Sequence, residues 1–226
     1  MAIKFILALL CTAVISYLLG SCNSAIITIR LLKHEDVRSK GSKNAGLTNT
    51  LRCYGKGPAL ITLIGDLAKG IIAVLLSMFV FRLFFGNEID DQFIGYIAGF
   101  FAIIGHIFPV YYGFKGGKGV LVSSSILIVI DPLTFVIVIP FFALILFITR
   151  YVSVASITAA VAYPIITFCT QYFIQDLPLE RVLLHTALVM GTSILLIFMH
   201  RANIQRLKAG TENKFGSKKK ENKLEG

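Results

Sequence analysis

Phe114-Lys115-Gly116-Gly117-Lys118-Gly119-Val120 stands between two apolar stretches, residues 93–112 and 120–130. Glycine lets a backbone approach a ligand closely, and lysine supplies the charge that holds an anion. Such a segment between membrane-length stretches is costly unless something anionic is handled at the bilayer surface.

Outward from this loop the chain is overwhelmingly apolar. Of its 226 residues, 56% are hydrophobic and 15% charged, with a mean hydropathy of +0.79. Soluble domains carry roughly a quarter charged residues and about half apolar ones. The class is therefore an all-α integral membrane protein, with no room for a separate soluble domain. The bilayer core takes about 20 apolar residues per helix. Seven spans are expected, over residues 3–29, 58–85, 93–112, 120–130, 133–149, 154–174 and 181–199. The first run carries only Lys4 at its start and leads into further spans, so it is expected to remain as a helix rather than act as a cleaved signal. The fourth, at 11 residues, crosses only if the lysine loop dips inward or its helix extends through Lys118. Asp131-Pro132 reads as an N-cap and first-turn pair that starts a new helix.

Charge sets the orientation. Residues 30–57, 113–119, 150–153 and 201–226 hold 18 of the 22 Lys and Arg, which predicts those segments on the cytoplasmic side, the N-terminus outside and the C-terminus inside. The acids Glu88, Asp90, Asp91, Asp131, Asp176 and Glu180 fall on the outer connections. Residues 1–214 form the membrane domain, and 215–226, with Lys218, Lys219, Lys220 and Lys223, form a basic disordered cytoplasmic tail. Cys11, Cys22, Cys53 and Cys169 lack metal-ligand spacing, so neither a disulfide nor a zinc site is expected.

Two more cytoplasmic segments mix glycine with basic and polar residues. Residues 38–52 gather Arg38, Ser42, Asn44, Thr48, Asn49 and Arg52, the donors of an anion nest, with Thr48 and Arg52 one helical turn apart. Residues 200–214 place His200, Asn203 and Leu207 on one face of a helix continuing out of the last span. The lysine loop itself is no nucleotide P-loop, because glycine follows Lys118 and position 112 is Tyr. His106 reads as a packing residue near a loop carbonyl, and Asp66 with Lys69 as a structural ion pair.

Three motifs in order carry a resemblance. They are Gly-Ser-x-Asn44-x-Gly-x-Thr-Asn49-x-x-Arg52, then Gly-His106-x-x-Pro running on to Phe-Lys-Gly-Gly-Lys118-Gly-Val, then Asn203-x-x-Arg206-Leu-x-x-Gly-Thr-Glu-Asn213. Together they resemble the bacterial acyl-phosphate:glycerol-3-phosphate acyltransferase family, over the chain up to about Lys214. The resemblance implies transfer of a fatty acyl group from acyl phosphate to the 1-hydroxyl of glycerol 3-phosphate, giving lysophosphatidic acid at the cytoplasmic face of the bacterial cell membrane. Carried over by position, it implies that Lys118, Arg52, His200 and Asn203 act in catalysis. Ser42, Asn44, Thr48, Gly116, Gly117, Gly119, Ser153 and Thr211 would bind substrate, and the Gly210-Thr211-Glu212 end would support the acyl-donor side. No cofactor, metal or nucleic acid is implied. Membrane lipid is a partner, and the enzyme that makes acyl phosphate is an open one. The chain departs from the family at Gly20-Ser21-Cys22-Asn23-Ser24, at Lys43, where glycine is usual, and at Leu47, where a small residue is usual.

An acyl phosphate is already activated, so the task is to orient two anions and stabilise an oxyanion, without an acyl-enzyme. The expected base is the phosphate of glycerol 3-phosphate, with His200 as the alternative. An acyl-CoA enzyme of the soluble type needs Asp five residues after a His, whereas Ser39, Tyr111, Met190 and Gln205 stand there. A transporter would place its polar groups at the bilayer midplane and repeat its helices internally, and neither feature is present.

Overall fold

The computed structural model describes residues 2–86 and 89–216, and all of its regular structure is helical. Glu88 and the tail lysines lie outside the described residues. The helices are α1 (Ala2–Ser21), α2 (Ser24–Lys33), α3 (Leu47–Tyr54), α4 (Lys56–Phe85), α5 (Asp91–Ile107), α6 (Val120–Ile130), α7 (Pro132–Thr149), α8 (Val152–Cys169), α9 (Leu179–Met199) and α10 (Arg201–Lys208). Among the described residues, six helical stretches are long and apolar enough to cross a bilayer; α6 is shorter. Large apolar side chains such as Leu10, Leu75, Phe147, Phe173 and Ile194 stay exposed on the outside of the bundle, the surface that lipid covers in a membrane protein.

The first span is not one helix. Asn23 breaks it: its side chain accepts the Ile26 N–H at 3.0 Å and caps α2, while its amide donates to the Ala45 carbonyl at 3.2 Å. The Cys22 carbonyl, freed by the break, accepts from Lys69 Nζ at 3.2 Å. Helix α1 crosses α5 closely, because a Cβ at Gly20 would overlap the Ala102 carbonyl and one at Gly105 the Tyr17 carbonyl. Gly70 of α4 meets Ser125 in the same way, and Gly95 and Gly99 of α5 meet Ile130 and Ile126. The short α6 is thus wedged into the bundle core, with Val122, Ile126, Leu127 and Ile130 buried.

Asp131, expected on a connection and as the cap of a new helix, is the single residue between α6 and α7 and does cap α7, but it is fully buried. It caps α7 through the Thr134 N–H at 3.1 Å, and its other oxygen accepts from Thr134 Oγ1 at 2.7 Å and Gln171 Nε2 at 3.1 Å. Gln175 Nε2 adds a bond at 3.1 Å. In an apolar bundle an acid survives only with such partners.

The last span ends at Met199, as expected, but the helix expected to continue out of it is interrupted: His200 leaves helical geometry at φ −92° and ψ 5°, and α10 begins at Arg201. The Phe215 N–H donates to the Arg150 carbonyl at 2.7 Å, which fastens residues just before the expected tail's lysines to the α7–α8 corner.

Candidate active site

Two loops meet below α5. Arg38 binds its neighbour Asp36 at 2.7 Å and reaches across to donate to the Tyr112 carbonyl at 2.8 Å and the Lys115 carbonyl at 2.9 Å. The Arg38 guanidinium in turn holds the Asp36 carboxyl at about 2, below the usual carboxylate range, against the opposing effect of burial. Asn49 fastens the other side of the first loop, donating to the Val37 carbonyl at 3.0 Å and accepting the Ser42 N–H at 2.9 Å. Lys43 sits at φ +58°, which explains why glycine is the easier residue there.

Gly116 and Gly117 were expected to bind substrate. Their N–H groups are instead given to the Ile107 carbonyl at 3.0 Å and the His106 carbonyl at 3.1 Å, and neither glycine lines the cavity. Their smallness serves close packing, for a Cβ at Gly117 would overlap His106 Nε2 and stand 2.8 Å from the Ala45 carbonyl. His106 is in turn held at Nδ1 by Lys69 Nζ at 2.8 Å, and Lys69 pairs with Asp66 at 2.8 Å. Gly117→Ala should therefore cost about 1–3 kcal/mol through overpacking. It should also lower turnover, because Lys118 is displaced. Thermal unfolding in detergent and an activity assay on the same preparation check both.

These loops, α3, α6, α7 and α8, with residues of α4, α5, α9 and α10, line a cavity of about 450 Å³. Ser42, Asn44, Thr48, Arg52, Lys118, Gly119, Ser153, His200 and Asn203 all line it. Thr211 does not; it is exposed, and its hydroxyl donates to the Arg206 carbonyl at 3.4 Å. Lys118 Nζ donates to Asn203 Oδ1. The Asn203 amide donates to Glu212 Oε1 at 2.7 Å, and Ser153 Oγ donates to the same oxygen at 3.0 Å. Arg206 Nε pairs with Glu212 Oε2 at 2.7 Å. Glu212 is thus the hub of the site, where the resemblance gave it only a supporting place on the acyl-donor side and gave Arg206, in the same motif, no role. The available signal was that Glu212 is the single acid between Arg181 and Lys220.

Burial, with Arg206 and Arg52 nearby, pushes the Lys118 ammonium down to about 8 against the opposing pull of Glu212. Burial and the Lys118 charge likewise lower His200 to about 4, so its imidazole is neutral at pH 7. His200 Nδ1 lies 2.8 Å from the Leu196 carbonyl, which can only accept a hydrogen bond, so Nδ1 carries the hydrogen and Nε2 is left as an acceptor. Burial alone would raise the Glu212 carboxyl, but hydrogen bonds from Asn203, Arg206 and Ser153 hold it low.

The far part of the cavity is apolar, walled by Leu127, Ile128, Phe135, Val138, Ile139, Phe142, Ala159 and Ala160. A cationic, hydroxyl-lined mouth over an apolar trough in a membrane helix bundle defines a protein that holds an amphiphile with an anionic head.

Comparison with known proteins narrows the class to one family. The glycerol-3-phosphate acyltransferase family model matches residues 10–210. The glycerol-3-phosphate acyltransferase of Chlorobaculum tepidum is 39% identical, covering 94% of this chain and 99% of its own. That of Clostridioides difficile is 38% identical, covering 92% and 95%. Two crystal structures of PlsY (YgiH), an integral membrane glycerol 3-phosphate acyltransferase, share the fold. Its glycerol 3-phosphate form has a TM-score of 0.75 at 32% identity, covering 92% of this chain and 96% of that one. Its lysophosphatidic acid form has a TM-score of 0.71 at 30% identity, covering 92% and 95%. This chain belongs to the glycerol-3-phosphate acyltransferase family, in its PlsY branch.

Proposed function

We propose that this protein transfers a fatty acyl group from acyl phosphate to the 1-hydroxyl of glycerol 3-phosphate, producing lysophosphatidic acid for phospholipid synthesis. The observation that carries the proposal is the joining of the Lys118–Asn203–Glu212 network to an apolar trough in one cavity. The cationic side chains there suit two phosphates, and the trough suits one hydrocarbon chain. The family membership supports the same acceptor and product.

Transfer is direct. Ser42 Oγ lies 3.1 Å from Asn49 Oδ1 and Ser153 Oγ is given to Glu212, so neither serine hydroxyl is paired with His200 as a nucleophile would be. Lys118 and Arg52 would offset the charge of the two phosphates, and Lys118 would stabilise the oxyanion as the carbonyl is attacked. Neutral His200 would accept the attacking hydroxyl's hydrogen bond and orient it. The proton would then pass to the glycerol 3-phosphate phosphate, whose second pKa is about 6.

The proposed topology has α6 as the seventh crossing, the N-terminus outside, and the site on the cytoplasmic face of the bacterial cell membrane. The excess of Lys and Arg on that face supports it. The enzyme that makes acyl phosphate would be a natural neighbour there.

Purified protein with labelled glycerol 3-phosphate should form lysophosphatidic acid from palmitoyl phosphate and not from palmitoyl-CoA. Product from the thioester alone would overturn the donor. His200→Ala should lower kcat about tenfold, the worth of one neutral hydrogen bond. A loss of about a thousandfold with KM unchanged would instead make His200 the base.

A further inference from the structure

The trough has a definite end. Beyond Val152 at its start, the cavity-lining positions of α8 are Ser153, Ser156, Ala159, Ala160 and Tyr163, one stripe at helical spacing. Four small residues are followed by the first bulky one. Tyr163 is 5% exposed, and it lines the cavity. On the facing helices, Ile128 of α6 and Phe135 of α7 are the lining residues nearest in sequence to the α6–α7 corner. Beyond them comes the Asp131 cluster, in which Thr134, Gln171 and Gln175 saturate the carboxylate. Hydrocarbon has no reason to displace those hydrogen bonds.

We propose that Tyr163 closes the far end of the acyl slot and sets the longest chain the enzyme holds in extended form. The proposal rests on the acyltransferase reading above for the identity of the chain. Ten residues separate Ser153, at the polar mouth, from Tyr163, about 15 Å along the helix. Carbon–carbon bonds of about 1.5 Å at about 111° advance a chain ~1.25 Å per bond. The slot therefore takes about 12 carbons straight. Helical side chains lean toward the helix N-terminus, so the Tyr163 ring tilts back over the slot and trims it further. A longer chain must bend, or leave between the helices into lipid.

The test is a chain-length series on the purified enzyme, from 8 to 18 carbons in steps of two. It uses two readouts: binding of 1-acyl lysophosphatidates, and kcat/KM with the matching acyl phosphates. Tyr163→Ala should move the optimum up by about four carbons, the length of the ring removed. Over those carbons the affinity relative to the unsubstituted enzyme should rise about fourfold per methylene. Ala159→Leu, which fills the trough nearer the mouth, should move the optimum down. Tyr163→Phe keeps the ring and should leave the profile where it was. Superimposable profiles for Tyr163→Ala and Ala159→Leu would overturn the ruler, and Ala159→Leu keeps the test alive if Tyr163→Ala does not fold. Lysophosphatidate carries no donor phosphate. Failure of every acyl phosphate to turn over would therefore count against the donor, while the binding series still decides the ruler.

Discussion

Lys118→Met should lower kcat/KM by about a hundred- to a thousandfold, the usual cost of removing a preorganised group that stabilises developing charge. Methionine keeps the length and apolar stem of lysine, so the fold should tolerate it. What goes is the one ammonium bonded to Asn203 at the cavity wall. The pH profile makes the prediction sharper. With Lys118 lowered to about 8, the free enzyme carries its charge below that pH and loses it above. kcat/KM should therefore fall as pH rises through about 8. Lys118→Arg keeps a charge that cannot titrate in this range. It should recover part of the activity and abolish the alkaline limb. If Lys118→Met retained activity within about threefold, or if Lys118→Arg kept the limb near 8, Lys118 would not be the charged group at the reacting carbonyl.

Much of this site is legible in the sequence because the relevant spacings are local. Thr48 and Arg52 lie one turn apart and both reach the cavity from α3. Lys118 follows a glycine run that ends where α6 begins, and His200 and Asn203 are close neighbours in the chain. Local spacing fails where a side chain acts against the apolar pattern. Residues 3–29 read as one span, yet Asn23 finds a backbone partner 22 residues away and stops the helix. Gly116 and Gly117 have the composition of an anion loop, but the carbonyls of His106 and Ile107 have already claimed their donors. Asp131 reads as a helix cap on a connection, and its burial is not legible because its further partners, Gln171 and Gln175, come about 40 residues later, past the end of α8. For Asn23 and Asp131 the deciding contact joins segments that no sequence window contains, and for the glycines it depends on how the chain doubles back onto the end of α5. Asp66 and Lys69 are the converse: a turn apart on one helix, they are paired as their spacing suggests.

Glu212→Ala should lower kcat about a hundredfold while leaving the KM for glycerol 3-phosphate within about threefold. The carboxylate ties two helices together, taking Asn203 and Arg206 of α10 and Ser153 of α8. Hydrogen bonds to a charged group are worth about 1.5–3 kcal/mol each. Without Glu212 nothing fixes which way the Asn203 amide points. An inverted amide would offer N–H to the Lys118 ammonium, which already donates. Lys118 would then be set free within the site. Substrate affinity suffers less, since removing an anion strengthens the net positive field that draws a phosphate. That field should also move the alkaline limb below 8, because Glu212 now opposes the lowering of Lys118. Glu212→Gln separates geometry from charge. It keeps the volume and one acceptor oxygen, but its amide nitrogen must face a donor, so an intermediate loss is expected. A Glu212→Ala enzyme with kcat within about threefold and its limb still at 8 would mean that the hub holds the C-terminal segment in place and does nothing for the lysine.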